Sequence, residues 1–220
     1  MIAKNIENIK GELPENVVLV AVSKTKPIED LKIAFDTGQR VFGENKVQEM
    51  VSKSELLSKE IQWHFIGHLQ RNKVKSIAPF VSLIHGVESL RLLKEINKQA
   101  AKNNRTIDIL LQFYIADEES KFGLSLEEAS SIIESDAYKE LQNICIRGVM
   151  GMATFTSNQE KIRNEFKTLN NIHMSLKNDF FSREDSFDVI SMGMSGDYKV
   201  AIDEGSNMIR IGSTIFGARN

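Results

Sequence analysis

A chain of 220 residues, 41% of them apolar and 26% charged, has enough apolar mass for a full core and falls in the size range of one α/β barrel domain. Its formal net charge of −2, from 28 Lys and Arg against 30 Asp and Glu, excludes the basic field that would draw it onto nucleic acid or anionic lipid, and favours a small neutral or anionic ligand. The single Cys145 excludes an internal disulfide, and neither a signal-peptide core in the opening MIAKNIENIKGELPEN nor an apolar run of membrane length is present, so a cytoplasmic protein with no membrane contact is expected.

An N-terminal helix over Ile2–Ile9 precedes eight short apolar runs rich in β-branched residues: Val17–Val22, Val41–Gly43, Ile61–Ile66, Val81–His85, Ile107–Phe113, Ile144–Val149, Phe187–Ser191 and Met208–Ile211. Between them, apolar residues recur at helical spacing. After the first run, PIEDLKIAFDTG places Pro27 in a first helical turn, sets Ile28, Leu31 and Phe35 on one face, and offers Gly38 as a left-handed terminator. Leu92, Leu93, Ile96 and Ala100 mark a helix after the fourth run, with lysines and asparagines on its solvated face. Ser125 with Glu128, and Ser157 with Glu160, have the spacing of capping boxes; the second precedes a stripe of Ile162, Phe166, Leu169, His173 and Leu176. No linker, low-complexity tract or fixed-length repeat interrupts this βαβα alternation. The expected fold is α/β, a single (β/α)8 TIM barrel over residues 1–220 with an extra N-terminal helix; a doubly wound open sheet shows the same alternation, and the count of eight favours the barrel.

In such a barrel, chemistry sits where strands end and the following loops begin. Lys24 follows directly on the buried run VVLVAV, so apolar walls can depress its amine pKa and free a lone pair for attack on an aldehyde, while Lys26 is expected nearer solvent. The seventh run leads into SMGMSGD and the eighth into RIGSTIFG. Backbone N–H groups of Gly193, Ser195, Gly212 and Ser213 can there surround phosphate oxygens, with the two serine hydroxyls adding donors. A phosphate cup beside a desolvated lysine suits pyridoxal phosphate, and equally suits a sugar-phosphate aldolase whose lysine attacks the substrate carbonyl.

The motifs VSKTKP, FGENKVQE, WHFIGHLQRNK, ESKFG, IRGVMGM, SMGMSGDYKVAI and RIGSTIFG, in this order across nearly the whole chain, resemble those of the YggS/PROSC pyridoxal phosphate homeostasis proteins. The resemblance implies a barrel like the N-terminal domain of alanine racemases, with pyridoxal 5′-phosphate carried as a Schiff base on Lys24. It implies Ser195, Gly212 and Ser213 around the phosphate, Arg210 near the pyridine nitrogen, and Asn45 beside the ring's 3-hydroxyl. A permanent cation at that nitrogen disfavours pyridinium and weakens the ring as an electron sink. The second base of related racemases is expected from a β-domain of a partner chain, whereas this chain ends at Asn220 after one barrel. The expected role is therefore buffering or delivery of the cofactor to apoenzymes, without robust catalysis; the alternative is a racemase or another Schiff-base enzyme. Two departures from the family pattern, Arg71 and Phe122, leave the cover of the pocket open.

The remaining features carry less. His64 and His68 in HFIGH share a strand face but have no third ligand, so a wall or hydrogen-bonding role is expected rather than metal. Lys121 in ESKFG can face the barrel mouth or solvent. Cys145 reads as a small buried hydrophobe, and His85 and His173 show no chemical partner. With no long apolar surface stripe, a monomer is expected.

Overall fold

The computed structural model describes residues 1–116 and 122–218. Eight parallel strands, β1 (Val18–Val22), β2 (Val41–Glu44), β3 (Gln62–Phe65), β4 (Leu83–Val87), β5 (Ile107–Gln112), β6 (Ile144–Met150), β7 (Val189–Ser191) and β8 (Met208–Ile211), form a closed barrel in sequence order. Closure runs through β1 and β8, with Val18 opposite Met208 and Ala21 opposite Ile211. Around the barrel lie α1 (Ile2–Glu12), α2 (Ile28–Asp36), α3 (Val47–Leu56), α4 (Val74–Ile77), α5 (Leu90–Lys102), α6 (Leu126–Glu134), α7 (Asp136–Lys139), α8 (Gln159–Asp179), α9 (Tyr198–Asp203) and α10 (Ser213–Phe216). A closed barrel, not an open doubly wound sheet, therefore accounts for the alternation. Among the described residues, no helix is long and apolar enough to cross a membrane.

The helices form where apolar spacing and capping chemistry agree. On α5, Leu92, Leu93, Ile96 and Ala100 are buried, and the Ser89 hydroxyl accepts the Leu92 N–H. At α6 the Ser125 hydroxyl accepts the Glu128 N–H at 3.1 Å while the Glu128 carboxylate accepts the Ser125 N–H at 2.8 Å, a complete capping box. Two expected boundaries shift by one residue. Pro27 is the cap of α2, in extended geometry, rather than part of its first turn, and Gly38 follows the helix at φ 85°. The cap of α8 is Asn158, whose side chain accepts the Lys161 N–H, not Ser157; Asn and Ser cap about equally well, so adjacent candidates compete and spacing alone does not choose.

The barrel interior changes character along its axis. Side chains alternate in and out along each strand, so residues two apart point inward in successive layers. Val20, Leu83, Leu110, Met150 and Met208 pack as one apolar layer, with Val41 and Val189 against it. Two residues further along β4, β5, β7 and β8 stand His85, Gln112, Ser191 and Arg210, all buried. Buried His64 of β3 lies within 3.0 Å of His85, so the upper layer is polar.

Candidate functional site

Above that polar layer, at the C-terminal ends of the strands, opens a cavity of about 680 Å³. Lys24, Asn45, Ser195, Arg210, Gly212 and Ser213 all line it, so the six residues singled out in the sequence are brought together from the ends of β1, β2, β7 and β8. On one wall, the Ser195 hydroxyl oxygen lies 3.4 Å from the Gly212 N–H nitrogen and 3.5 Å from that of Thr214. These bonds are long, so two backbone donors converge on one weakly held acceptor and remain available to a better one. Gly193, at φ 94°, makes the turn into this loop, where a Cβ would meet the Ala201 Cβ at 2.6 Å.

Across the cavity, the Asn45 side-chain oxygen is buried and has no hydrogen-bond partner. A buried amide oxygen without a donor costs about 1–3 kcal/mol, which a ligand hydroxyl would offset. Asn45 is held by close packing against Gly67, where a Cβ would stand 2.5 Å from the Asn45 carbonyl oxygen and 2.9 Å from its Cα. Only glycine admits that approach.

Arg210 forms part of the cavity floor and is tied into a buried chain. Its guanidinium donates to the Ser191 hydroxyl at 2.7 Å, to the Ser191 carbonyl at 2.9 Å and to the Gly151 carbonyl at 3.0 Å. Beyond it, Ser191 Oγ lies 3.1 Å from His85 Nδ1, and His85 Nε2 lies 3.0 Å from His64 Nδ1. Guanidinium has donors only, so Ser191 accepts from Arg210, and its own hydrogen is available to His85 Nδ1. With that hydrogen given to Nδ1, His85 carries its proton on Nε2 and donates to His64. Burial holds both imidazoles neutral, pushing His64 down to about 3 and His85 well below the usual histidine range, with His64 and Arg210 adding to the effect on His85. Burial also pushes Arg210 down to about 10, opposed by Asp197, which leaves it a cation at neutral pH.

Several expectations change here. Lys26 is not merely nearer solvent: it lines the same cavity and donates to the Phe216 and Ala218 carbonyls at 3.0 and 2.9 Å, tying the first loop to the segment after α10. His64 and His68 do not act together, because His64 faces the interior while exposed His68 pairs with Glu88 at 3.2 Å. Among the described residues, no group of metal-binding side chains forms. His85 has the two partners that its sequence context did not reveal, and His173 stacks on Phe187 with ring centroids 4.9 Å apart. Cys145 is only partly buried. Lys121 lies outside the described residues. Exposed Met152, Phe155 and Met194, also lining the cavity, give its mouth an apolar rim that the sequence reading missed.

A closed barrel with a lysine two residues past its first strand and a cup of small residues after its last two fits a class, that of the alanine racemase N-terminal domain, whose family model matches residues 1–220. The pyridoxal phosphate homeostasis protein of Vibrio alginolyticus is 36% identical over 100% of this chain and 98% of its own. That of Escherichia coli K12 is 38% identical over 96% of this chain and 89% of its own. The chain belongs to the pyridoxal phosphate homeostasis protein family. Among solved structures, PipY of Synechococcus elongatus, determined with PLP bound, superposes with a TM-score of 0.88 at 29% identity, covering 99% of this chain and 100% of that one. An alanine racemase from Clostridium difficile shares the fold at a TM-score of 0.75 and 15% identity, this chain spanning 56% of its length.

Proposed function

We propose that this chain binds pyridoxal 5′-phosphate covalently through Lys24 and serves the cofactor's homeostasis, by buffering it or delivering it to apoenzymes, rather than catalysing a reaction with it. The observation that carries the reading is the convergence of Lys24, the unmet Asn45 carboxamide, the buried Arg210 cation and the Ser195–Gly212–Ser213 wall on one cavity. The residues fit the group. The wall offers backbone and hydroxyl donors for a phosphate, Asn45 has one bond to make with a ring hydroxyl, and Arg210 takes the ring nitrogen as an unprotonated acceptor. When bound, the cofactor supplies an aldehyde that condenses with the lysine amine, with loss of water. The names of the relatives and the PLP-bound PipY structure support the same assignment.

The preference for holding over turnover rests on the groups around the cavity. Among the described residues lining it, the titratable ones are Lys24, Lys26, Asp197 and Arg210. Lys26 is committed to two carbonyls, Asp197 accepts the Met194 N–H at 2.5 Å, and Arg210 is fixed in the polar chain. None is placed as a second acid or base facing Lys24, and proton abstraction from an amino acid needs one.

The test is to mix the purified protein with pyridoxal phosphate, reduce with borohydride and locate the label by peptide mass spectrometry, beside a Lys24→Ala variant. A visible absorption band in the native protein and a label on the Lys24 peptide, both lost in the variant, are expected. An equal label in both proteins, or none in either, overturns the assignment of Lys24; racemase turnover abolished by Lys24→Ala overturns the non-catalytic part.

A further inference from the structure

Lys24 is flanked by two residues whose backbone is held from behind the cavity by an ionic group that does not line it. Buried Lys53 of α3 donates to the Ser23 carbonyl at 2.8 Å, to Glu44 Oε1 at 2.7 Å and to Glu49 Oε1 at 2.7 Å. The same Glu44 oxygen accepts the Ser23 hydroxyl at 2.7 Å, and the same Glu49 oxygen accepts the Thr25 N–H at 2.6 Å. The residue before Lys24 and the residue after it are thus each tied to the Lys53–Glu44–Glu49 group. Thr25 is held at φ 65°, a left-handed conformation that is strained for a β-branched residue, and such strain persists only where surrounding structure over-determines it.

The group is a poor device for stability alone. Glu44 is fully buried, and its second oxygen has no partner. A buried ionic cluster left incompletely bonded is commonly no more stabilising than apolar side chains of the same volume. Its distinctive effect is geometric: it fixes the peptide units on both sides of one lysine, across two other elements, β2 and α3. A lysine side chain has four rotatable bonds, so the direction in which its amine reaches the cavity depends on how firmly its backbone is anchored.

We infer that Lys53, Glu44 and Glu49 are positioning residues for Lys24, which hold the Ser23–Thr25 backbone so that the Lys24 amine meets the cofactor aldehyde in a reactive orientation. This rests on the proposed covalent role of Lys24. The group acts on the condensation step and leaves recognition of the phosphate to the Ser195–Gly212–Ser213 wall and of the ring to Asn45 and Arg210.

The two functions separate experimentally. Pyridoxine 5′-phosphate, which has an alcohol in place of the aldehyde, reports binding without condensation; the rate of borohydride-trappable adduct at saturating pyridoxal phosphate reports condensation. Native protein is compared with Lys53→Met, with Glu49→Ala, with Glu49→Gln, which keeps the acceptor for the Thr25 N–H, and with Lys24→Ala as the blank. Lys53→Met and Glu49→Ala are expected to slow adduct formation by about tenfold or more, with alcohol affinity unchanged and Glu49→Gln close to native. Partly exposed Glu49 keeps the test usable if the buried Lys53 variant does not fold. Adduct formation at the native rate in folded Glu49→Ala overturns the inference, as does a loss of alcohol affinity in step with the rate. A native protein that forms no adduct, or a Lys24→Ala protein that forms one, overturns the covalent role of Lys24 itself.

Discussion

Acidification should destabilise this barrel through its two buried interior histidines, and the size of the effect follows from their burial. An unfolded histidine titrates near pH 6.5, whereas His64 is pushed down to about 3 and His85 well below its usual range. Their folded values are lowered, so their contribution is present above the unfolded value and is lost as the pH falls, because the unfolded chain takes up protons that the folded chain refuses. Integrated from about pH 7 to about pH 5, that uptake costs roughly 2 kcal/mol for His64, with a further cost of the same sign from His85. Glu44, Asp108 and Asp197 act in the opposite sense, since burial raises each of them and the folded chain protonates them first. A comparison that keeps these carboxyls constant isolates the imidazoles. Urea unfolding of the native protein and of a His64→Leu/His85→Leu variant, at both pH values, should show the variant losing roughly 2–4 kcal/mol less between them. Equal losses would mean that the folded imidazoles protonate freely, and the directional chain from Arg210 to His64 would fall with that result.

The same chain predicts that nitrogen-15 spectra at neutral pH show His64 and His85 as neutral Nε2–H tautomers, and that Ser191→Ala releases His85 to exchange tautomers, since it removes the hydroxyl that donates to Nδ1. Gly67→Ala should cost about 1–3 kcal/mol in thermal or urea unfolding and weaken pyridoxine phosphate binding, because the new Cβ displaces the Asn45 backbone. Ser125→Ala should cost about 1 kcal/mol through loss of the α6 capping box, with adduct formation at Lys24 unchanged, since that helix lies outside the cavity.

The fold was legible because its signals are local. Each strand of the barrel is a short apolar run, and α5 and α8 bury residues that the helical stripes marked, such as Leu93, Ile96, Phe166 and Leu169. The errors are also local. Pro27 and Asn158 moved by one position because a helix start is decided by competition among neighbouring caps. Lys24, Ser195, Gly212 and Ser213 could be placed at the cavity because the barrel rule directs attention to the residues after each strand, a rule that needs no side-chain geometry, whereas Asn45 came from the family resemblance.

What stayed hidden is a connection inside the strands: Arg210 was named by the resemblance and His64 as a wall or hydrogen-bonding residue, but nothing joined them. His64, His85, Ser191 and Arg210 are separated by up to 146 positions, and no spacing links them. Their common signal was a polar residue inside a mostly apolar strand, in QWHF, LIHGV, VIS and MIRI, which a reading by strand existence treats as noise. Alternation places all four in the barrel interior, where a polar side chain has to find a polar partner, so together they form one connected layer. Among the described residues, the hydrogen-bond acceptors of Arg210 are neutral: Ser191 contributes a hydroxyl and a carbonyl, and Gly151 a carbonyl. A buried cation satisfied by hydrogen bonds but not paired with a carboxylate retains part of its desolvation cost. An anionic ligand in the cavity above would offset that cost, which makes the floor of the barrel part of the binding energy even where it touches little of the ligand. The opposing wall, with its Ser195 hydroxyl and backbone donors, would fix where the negative charge of such a ligand sits, and Lys24 beyond the end of β1 lines the same cavity.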